Sequence, residues 1–230
     1  MKDKRQIITA LVPMKAHSER VKDKNIREFM GQPLFCRVVS ELLESPFIKQ
    51  ILVDTDSLVI KQEMNNYFPN ERVTIIDRPK DLCGDFAPFF EILKYDMGFS
   101  DTDFFLQTHA TNPLLTEKTI SDACKYFIEH SGRYDSLFTV NEWHTRLYDK
   151  SGKAINHDPN HLIRTQDLEP IFEENSNLYI FSRDSFYKRN DRIGENPYLY
   201  KMSMLESVDI DTEDEFRLAE AIYLGRNRKN

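Results

Sequence analysis

The chain has 230 residues, of which 40% are hydrophobic and 12% aromatic, enough to build one large α/β domain around a proper core. Its 31 basic and 38 acidic residues give a net charge of −7. That is the wrong sign for coating nucleic acid, where a basic footprint is needed, though it leaves room for a local basic pocket that takes a small anion. Cys36, Cys83 and Cys124 are odd in number, widely spaced and form no C-x-x-C pair, which argues against a disulfide framework or a zinc site and for reduced thiols.

The apolar run at residues 7–12 is too short for a signal-peptide core. No stretch approaches the ~20 apolar residues of a membrane helix. A soluble, cytoplasmic protein with no membrane or nucleic-acid partner is the expectation.

Taken in chain order, residues 7–13 read as a buried strand. Residues 33–44 read as a helix, with Phe35, Val38, Val39, Leu42 and Leu43 on one stripe, Pro33 early and Ser45-Pro46 as the stop. A strand follows at 51–54, a helix at 58–68, a strand at 73–76, a helix at 89–97 and a strand at 104–107. Residues 116–130 form a clear helix, with Ile120, Ala123, Cys124, Phe127 and Ile128 on one face, and 137–140 a fifth strand. This alternation predicts an α/β fold on a mostly parallel, doubly wound (Rossmann-like) sheet. Ligands of such sheets bind beyond the carboxyl ends of the strands, which ranks the loops following residues 13, 54, 76 and 107.

The rhythm breaks between residues 142 and 162, which hold Trp143, Gly152 and Pro159 and read as a hairpin or excursion. Order resumes at 177–181 and 204–210. The last helix opens on Thr212-Glu213-Asp214-Glu215, a capping box, and ends at Gly225. A single domain over residues 1–230, with an inserted excursion at about 142–175, is expected.

The loop after the first strand carries Lys15, Arg20, Lys22 and Lys24, with Ser18 and Asn25 as hydrogen-bonding groups. Four cations at a strand's carboxyl end suit a polyphosphate, and charge alone leaves a solvated surface loop equally open. Near the other end, Asp209 and Asp211 stand two apart in what reads as a strand, so both face the same way. Two hard carboxylates there suit Mg²⁺, which takes one or two protein carboxylates together with substrate phosphates. Dinucleotide-binding and P-loop glycine patterns are absent, as is a G-x-S-x-G elbow.

Set in order, these motifs resemble the acylneuraminate cytidylyltransferase family. Pro13, Ser18, Arg20, Lys24 and Asn25 fall in register with its P-x-R-x-x-S-x-R-x-x-x-K-N signature, with Lys15 in place of an arginine and Ala16-His17 in place of a glycine-containing pair. Arg78-Pro79 through Ala87 resembles R-P-x-x-L-x-x-D-x-A. Leu106-Gln107 and Thr111–Leu115 resemble L-Q-x-T-x-P-L, with drift around His109. Arg164-Thr165-Gln166-Asp167 and Glu174-Asn175 to Tyr179 resemble R-x-Q-D and E-N-G-x-x-Y, and Asp209-Ile210-Asp211-Thr212 is D-I-D-T.

The resemblance implies a fold of the nucleotide-diphospho-sugar transferase type and transfer of CMP from CTP to an acidic 2-keto sugar. It implies nucleotide contacts from Lys15, Ser18, Arg20, Lys24, Asn25, Arg78 and Gln107, with Lys15, Arg20, Lys24 and Asp211 serving the chemistry. It implies sugar contacts from Gln107, Arg164, Gln166 and Tyr179, Mg²⁺ on Asp209 and Asp211, and a homodimer formed through the excursion. Asp54 and Asp56, which fit the family's S-T-D segment loosely, are given no role beyond loop geometry. An eight-carbon octulosonic acid is the rival substrate, and a non-catalytic nucleotide-binding module the rival class.

Overall fold

The structure is a computed structural model that describes residues 7–16, 21–84 and 86–227. In chain order its elements are β1 (Ile8–Leu11), β2 (Glu28–Phe29), β3 (Gln32–Pro33), α1 (Phe35–Glu44), β4 (Ile48–Thr55), α2 (Leu58–Tyr67), β5 (Val73–Asp77), α3 (Phe89–Met97), β6 (Phe104–Thr108), α4 (Glu117–His130), β7 (Ser136–Trp143), β8 (Ile171–Ser182), α5 (Arg183–Arg189), β9 (Pro197–Lys201) and α6 (Glu213–Asn227).

Seven strands form one sheet in the order β5-β4-β1-β6-β8-β7-β9. β8 alone runs against its neighbours β6 and β7, and the other pairings are parallel. The chain winds from β1 outward through β4 to β5, then returns to lay β6 on the other side of β1. This reversal opens a crevice beyond the carboxyl ends of β1 and β6.

Alternation along the strands builds two cores. Ala10 of β1 and Val12 just after it, Ile51 and Val53 of β4, Leu106 of β6 and Ile180 of β8 point into one, with α1, α2 and α4 above them. Leu11, Leu52, Phe105 and Phe181 point to the other face, against Leu93 and Met97 of α3 and Phe186 of α5. The period of two in side-chain direction is what lets both faces be covered. A third cluster packs Phe216 and Ala219 of α6 on Phe29, Leu34, Leu114 and Ile210, tying the last helix to the loop beyond β1.

Three expectations need correction. Pro33 does not open a helix; it pairs in the β2–β3 hairpin, whose turn residues Met30 and Gly31 both have positive φ (51° and 82°), the backbone of a two-residue hairpin loop. Residues 204–210 form no strand, and the edge position belongs to β9, where Pro197 sits at the first residue, as the missing N–H requires. Gly225 does not end α6, which continues to Asn227.

The excursion after β7 makes a bridge between Tyr148 and Ala154 and leaves Leu147, Tyr148, Ile155 and Leu162 exposed. Cys36 and Cys124 are buried and all three cysteines are free. Among the described residues no helix is long and apolar enough to cross a membrane.

Phe127 joins α4 to the sheet, fully buried with its ring 5.5 Å from that of Phe104. Phe127→Ala should lower unfolding free energy by about 3–5 kcal/mol through lost burial and the cavity left behind. Urea unfolding measures it, and a loss under about 1 kcal/mol would show that the α4 face collapses around the gap.

Candidate active site

A cavity of about 590 Å³ opens at the crevice and is walled by loops from both halves of the chain. Pro13, Met14 and Lys15 come from beyond β1, Lys24 and Asn25 from the turn that follows, Arg78 from beyond β5, and Phe89 from the start of α3. His109 and Thr111 come from beyond β6, and Asp209 and Asp211 from the approach to α6.

The first loop is held in place by backbone contacts. The Met14 N–H donates to the Asp54 carbonyl at 2.8 Å, the Ala16 N–H to Asp56 Oδ1 at 2.7 Å, and Asn25 Nδ2 to the Lys15 carbonyl at 3.2 Å. Lys24 turns inward, 12% exposed, and donates to the Ile210 carbonyl and to Asp211 Oδ1 at 3.1 Å. Asp209 and Asp211 lie on irregular backbone rather than on a strand, yet both reach the same wall. Their segment is held by the Ile210 N–H on the Thr111 carbonyl (2.9 Å) and by Glu215, which accepts from the N–H groups of Asp211 and Thr212. Thr111 Oγ1 donates to Asp209 Oδ1 at 2.5 Å. Burial pushes the Asp209 carboxyl up to about 6, against that hydrogen bond.

On the opposite wall, Arg78 is buried and its Nε donates to Asp54, itself fully buried. Behind them Asp96 of α3 is fully buried and faces the Asp54 carboxylate. Burial, then the Asp54 charge, hold Asp96 far above the ordinary carboxyl range, so it carries a proton at neutral pH. Asp54 thus does more than shape a loop: it is the counterion that keeps a cavity cation in place. The strand run Ile-Leu-Val-Asp offered this signal, because a carboxylate inside a buried strand needs a partner.

His109 stacks on Phe89, with ring centroids 6.1 Å apart, and its Nε2 accepts from Gln107 Nε2 at 3.1 Å. Burial pushes its pKa down to about 3, with Arg192 and Lys24 adding, so the ring is neutral. Gln107 itself lies behind the wall, fully buried, and its Oε1 accepts from Arg192.

The expected site residues therefore divide. Lys15, Lys24, Asn25, Arg78, Asp209 and Asp211 meet at one cavity. Tyr179 is buried beneath it, with its hydroxyl donating to Glu174. Arg164 and Gln166 are exposed and outside the lining, with Arg164 held bidentately by Asp167 at 2.7 and 3.0 Å. Ser18 and Arg20 lie outside the described residues. Sequence reading missed His109 and Arg192 as neighbours of the site.

The cytidylyltransferase family pattern matches residues 9–229. The N-acylneuraminate cytidylyltransferase of Streptococcus agalactiae serotype III (strain NEM316) is 27% identical over 215 residues, which cover 90% of this chain and 51% of that protein. The chain thus spans about half the length of such streptococcal relatives. The CMP-N,N′-diacetyllegionaminic acid synthase of Legionella pneumophila (strain Philadelphia 1) is 26% identical over 234 residues, covering 94% of this chain and 95% of that one. A solved CMP:2-keto-3-deoxy-manno-octonic acid synthetase complexed with CTP superposes with a TM-score of 0.70 at 12% identity, covering 95% and 99% of the two chains.

The buried acid pair behind Arg78 has opposite sensitivities. Asp54→Asn strips a buried cation of its partner and should cost about 3–5 kcal/mol at pH 7. Asp96→Asn replaces a carboxyl that must take up a proton as the chain folds at pH 7, and should therefore raise stability there rather than lower it. A native pKa raised above the unfolded one means stability that is fully present at low pH and is lost as pH rises above the unfolded value. Asp96→Asn should remove that decline, and denaturant midpoints at pH 5, 7 and 9 read it. Equal losses from the two variants would refute the assignment of the proton.

Proposed function

Because the chain belongs to the cytidylyltransferase family, we propose that it transfers CMP from CTP to the anomeric hydroxyl of a nine-carbon acidic 2-keto sugar, releasing pyrophosphate. The observation that carries this reading is the meeting of Lys15, Lys24, Asn25 and Arg78 with Asp209 and Asp211 around one cavity. Cations of that number suit a triphosphate, and arginine and lysine act on it differently, as a planar fork and as a point charge.

In the proposed reaction the sugar hydroxyl gives up its proton to solvent as its oxygen bonds to the α-phosphorus, the bond from that phosphorus to the bridging oxygen breaks, and pyrophosphate leaves with the electron pair. Lys15 and Lys24 neutralise charge that builds on the phosphoryl oxygens. Arg78, kept rigid by Asp54, orients the nucleotide. Arg20 and Ser18 are proposed to complete the phosphate contacts.

Asp209 and Asp211 fit Mg²⁺ as hard oxygen donors on one wall. Among the described residues no cluster of three or more metal-ligating side chains exists, and this suits an ion that takes one or two protein carboxylates and fills its shell with phosphate and water. Such an ion would supply charge neutralisation at the phosphates.

The nine-carbon acids are favoured over an octulosonic acid because curated relatives named for N-acylneuraminate and legionaminic acid are the ones similar in sequence. The octulosonic acid synthetase shares only the fold. Retention of both carboxylates argues against a non-catalytic module. A homodimer is part of the proposal: the exposed Leu147, Tyr148, Ile155 and Leu162 form the kind of apolar surface that marks an interface. An isologous pairing would let Arg164 and Gln166 approach a partner's sugar.

Asp211→Asn should nearly abolish pyrophosphate release from CTP while leaving the circular dichroism spectrum intact, and EDTA should do the same to the unaltered protein. Activity surviving both would remove the metal. CTP should be preferred over UTP, ATP and GTP by at least ~10-fold, which needs only about 1.4 kcal/mol; equal use of UTP would reject the assignment. Sedimentation at micromolar concentration should give a dimer, and a fully active monomer would contradict it.

A further inference from the structure

Arg192 stands in the loop between α5 and β9, a position that none of the motifs discussed above touches. The loop is pinned. The N–H groups of Glu195 and Asn196 donate to the Asp135 carboxylate at 2.8 and 3.1 Å, the Gly194 N–H to Ser136 Oγ at 2.8 Å, and Arg189 to the Gly194 carbonyl at 3.1 Å. Asn190 takes a left-handed turn (φ 54°), and a Cβ at Gly194 would collide with the Asp135 carboxylate. The backbone therefore delivers Arg192 to one place.

There its guanidinium carbon lies over the Tyr179 ring, 3.5 Å from the centroid, and 5.2 Å from that of Phe89. Its Nη1 donates to Gln107 Oε1. Arg192 stands just behind the cavity lining: through Gln107 it is one side chain removed from His109, and Phe89 and His109 both line the cavity. The side chain is 15% exposed and forms an ion pair with Glu174 at 3.6 Å, whose Oε1 also accepts from the Tyr179 hydroxyl. A guanidinium has five N–H donors in a fixed fork that matches a carboxylate. Here the guanidinium is largely desolvated over an aromatic ring and balanced by the longer ion pair to Glu174 and by Asp191, so an incoming carboxylate would offer it a closer, two-pronged partner.

We propose that Arg192 binds the C1 carboxylate of the acidic sugar from within the same chain, with Tyr179 and Gln107 as positioning residues that hold its fork toward the Phe89–His109 end of the cavity. The assignment rests on the cytidylyl-transfer reading for the identity of the acid. The lysines and carboxylates of the opposite wall are left to the triphosphate. Arg164, exposed and closed on Asp167, is then not the carboxylate anchor.

The test compares N-acetylneuraminic, legionaminic and pseudaminic acids with their C1 carboxamides, by equilibrium binding and by pyrophosphate release with CTP. The unaltered protein should bind its acid at least ~10-fold tighter than the amide, and Arg192→Met should bring that ratio within about twofold while leaving the KM for CTP within about twofold. Arg164→Ala should keep the preference. Arg192→Lys retains charge without the fork and should fall between; if Arg192→Met does not fold, this variant decides, with sugar KM raised and CTP KM unchanged. Three results would overturn the proposal: an acid preference that survives in Arg192→Met, equal rises in both KM values, or no binding of any acid. Acid binding that depends on Arg192 without any pyrophosphate release would uphold it and reject cytidylyl transfer instead.

Discussion

Lys24 is the tie on which the site depends. Its ammonium is nearly withdrawn from water and is neutralised by groups far along the chain, the Ile210 carbonyl and the Asp211 carboxylate. A buried cation of this kind is tolerated only where its partners are held in position. The fold holds them: Ile210 is hydrogen-bonded to Thr111 beyond β6, and Glu215 clasps the N–H groups of Asp211 and Thr212. Arg27 adds an ion pair to Glu213 and lies 3.9 Å over the Phe216 ring. The loops beyond β1 and β6 and the cap of α6 are thereby fastened into one frame.

The two walls solve different electrostatic problems. Around Lys24 the charges are balanced and lie at the cavity wall, where the proposed triphosphate and cation would exchange with them. Around Arg78 the balance is sealed inside the protein, where Arg78 pairs with Asp54 and burial raises both Asp54 and Asp96 above the ordinary carboxyl range, Asp96 the further. One wall can respond to a ligand, and the other presents a fixed guanidinium. This division follows from burial alone, since a low-dielectric surrounding strengthens a pair and penalises a second charge of the same sign.

Much of this was legible from the chain. Strand and helix alternation to residue 140 was clear because each element carries a full period, with the stripe of α4 as the plainest case. The capping box at Thr212–Glu215 is a local signal and holds in detail. What escaped notice depends on contacts between distant segments. β9 is five residues opening on a proline, and only its pairing with β7 makes it a strand. Asp209 and Asp211 face one cavity not through strand alternation but because Thr111 and Glu215 hold their backbone. Arg192 looks like one more surface cation in a polar stretch; its meaning comes from the Tyr179 ring beneath it and the pinned loop that carries it.

The central claim is that loops from both ends of the chain form one nucleotide site. Hydrogen–deuterium exchange with and without CTP and Mg²⁺ tests it most directly. The account predicts that residues 13–16, 21–27, 78–92, 109–115 and 209–215 become protected together, with the same dependence on CTP concentration. Protection confined to one of these segments, or none at saturating CTP, would contradict it.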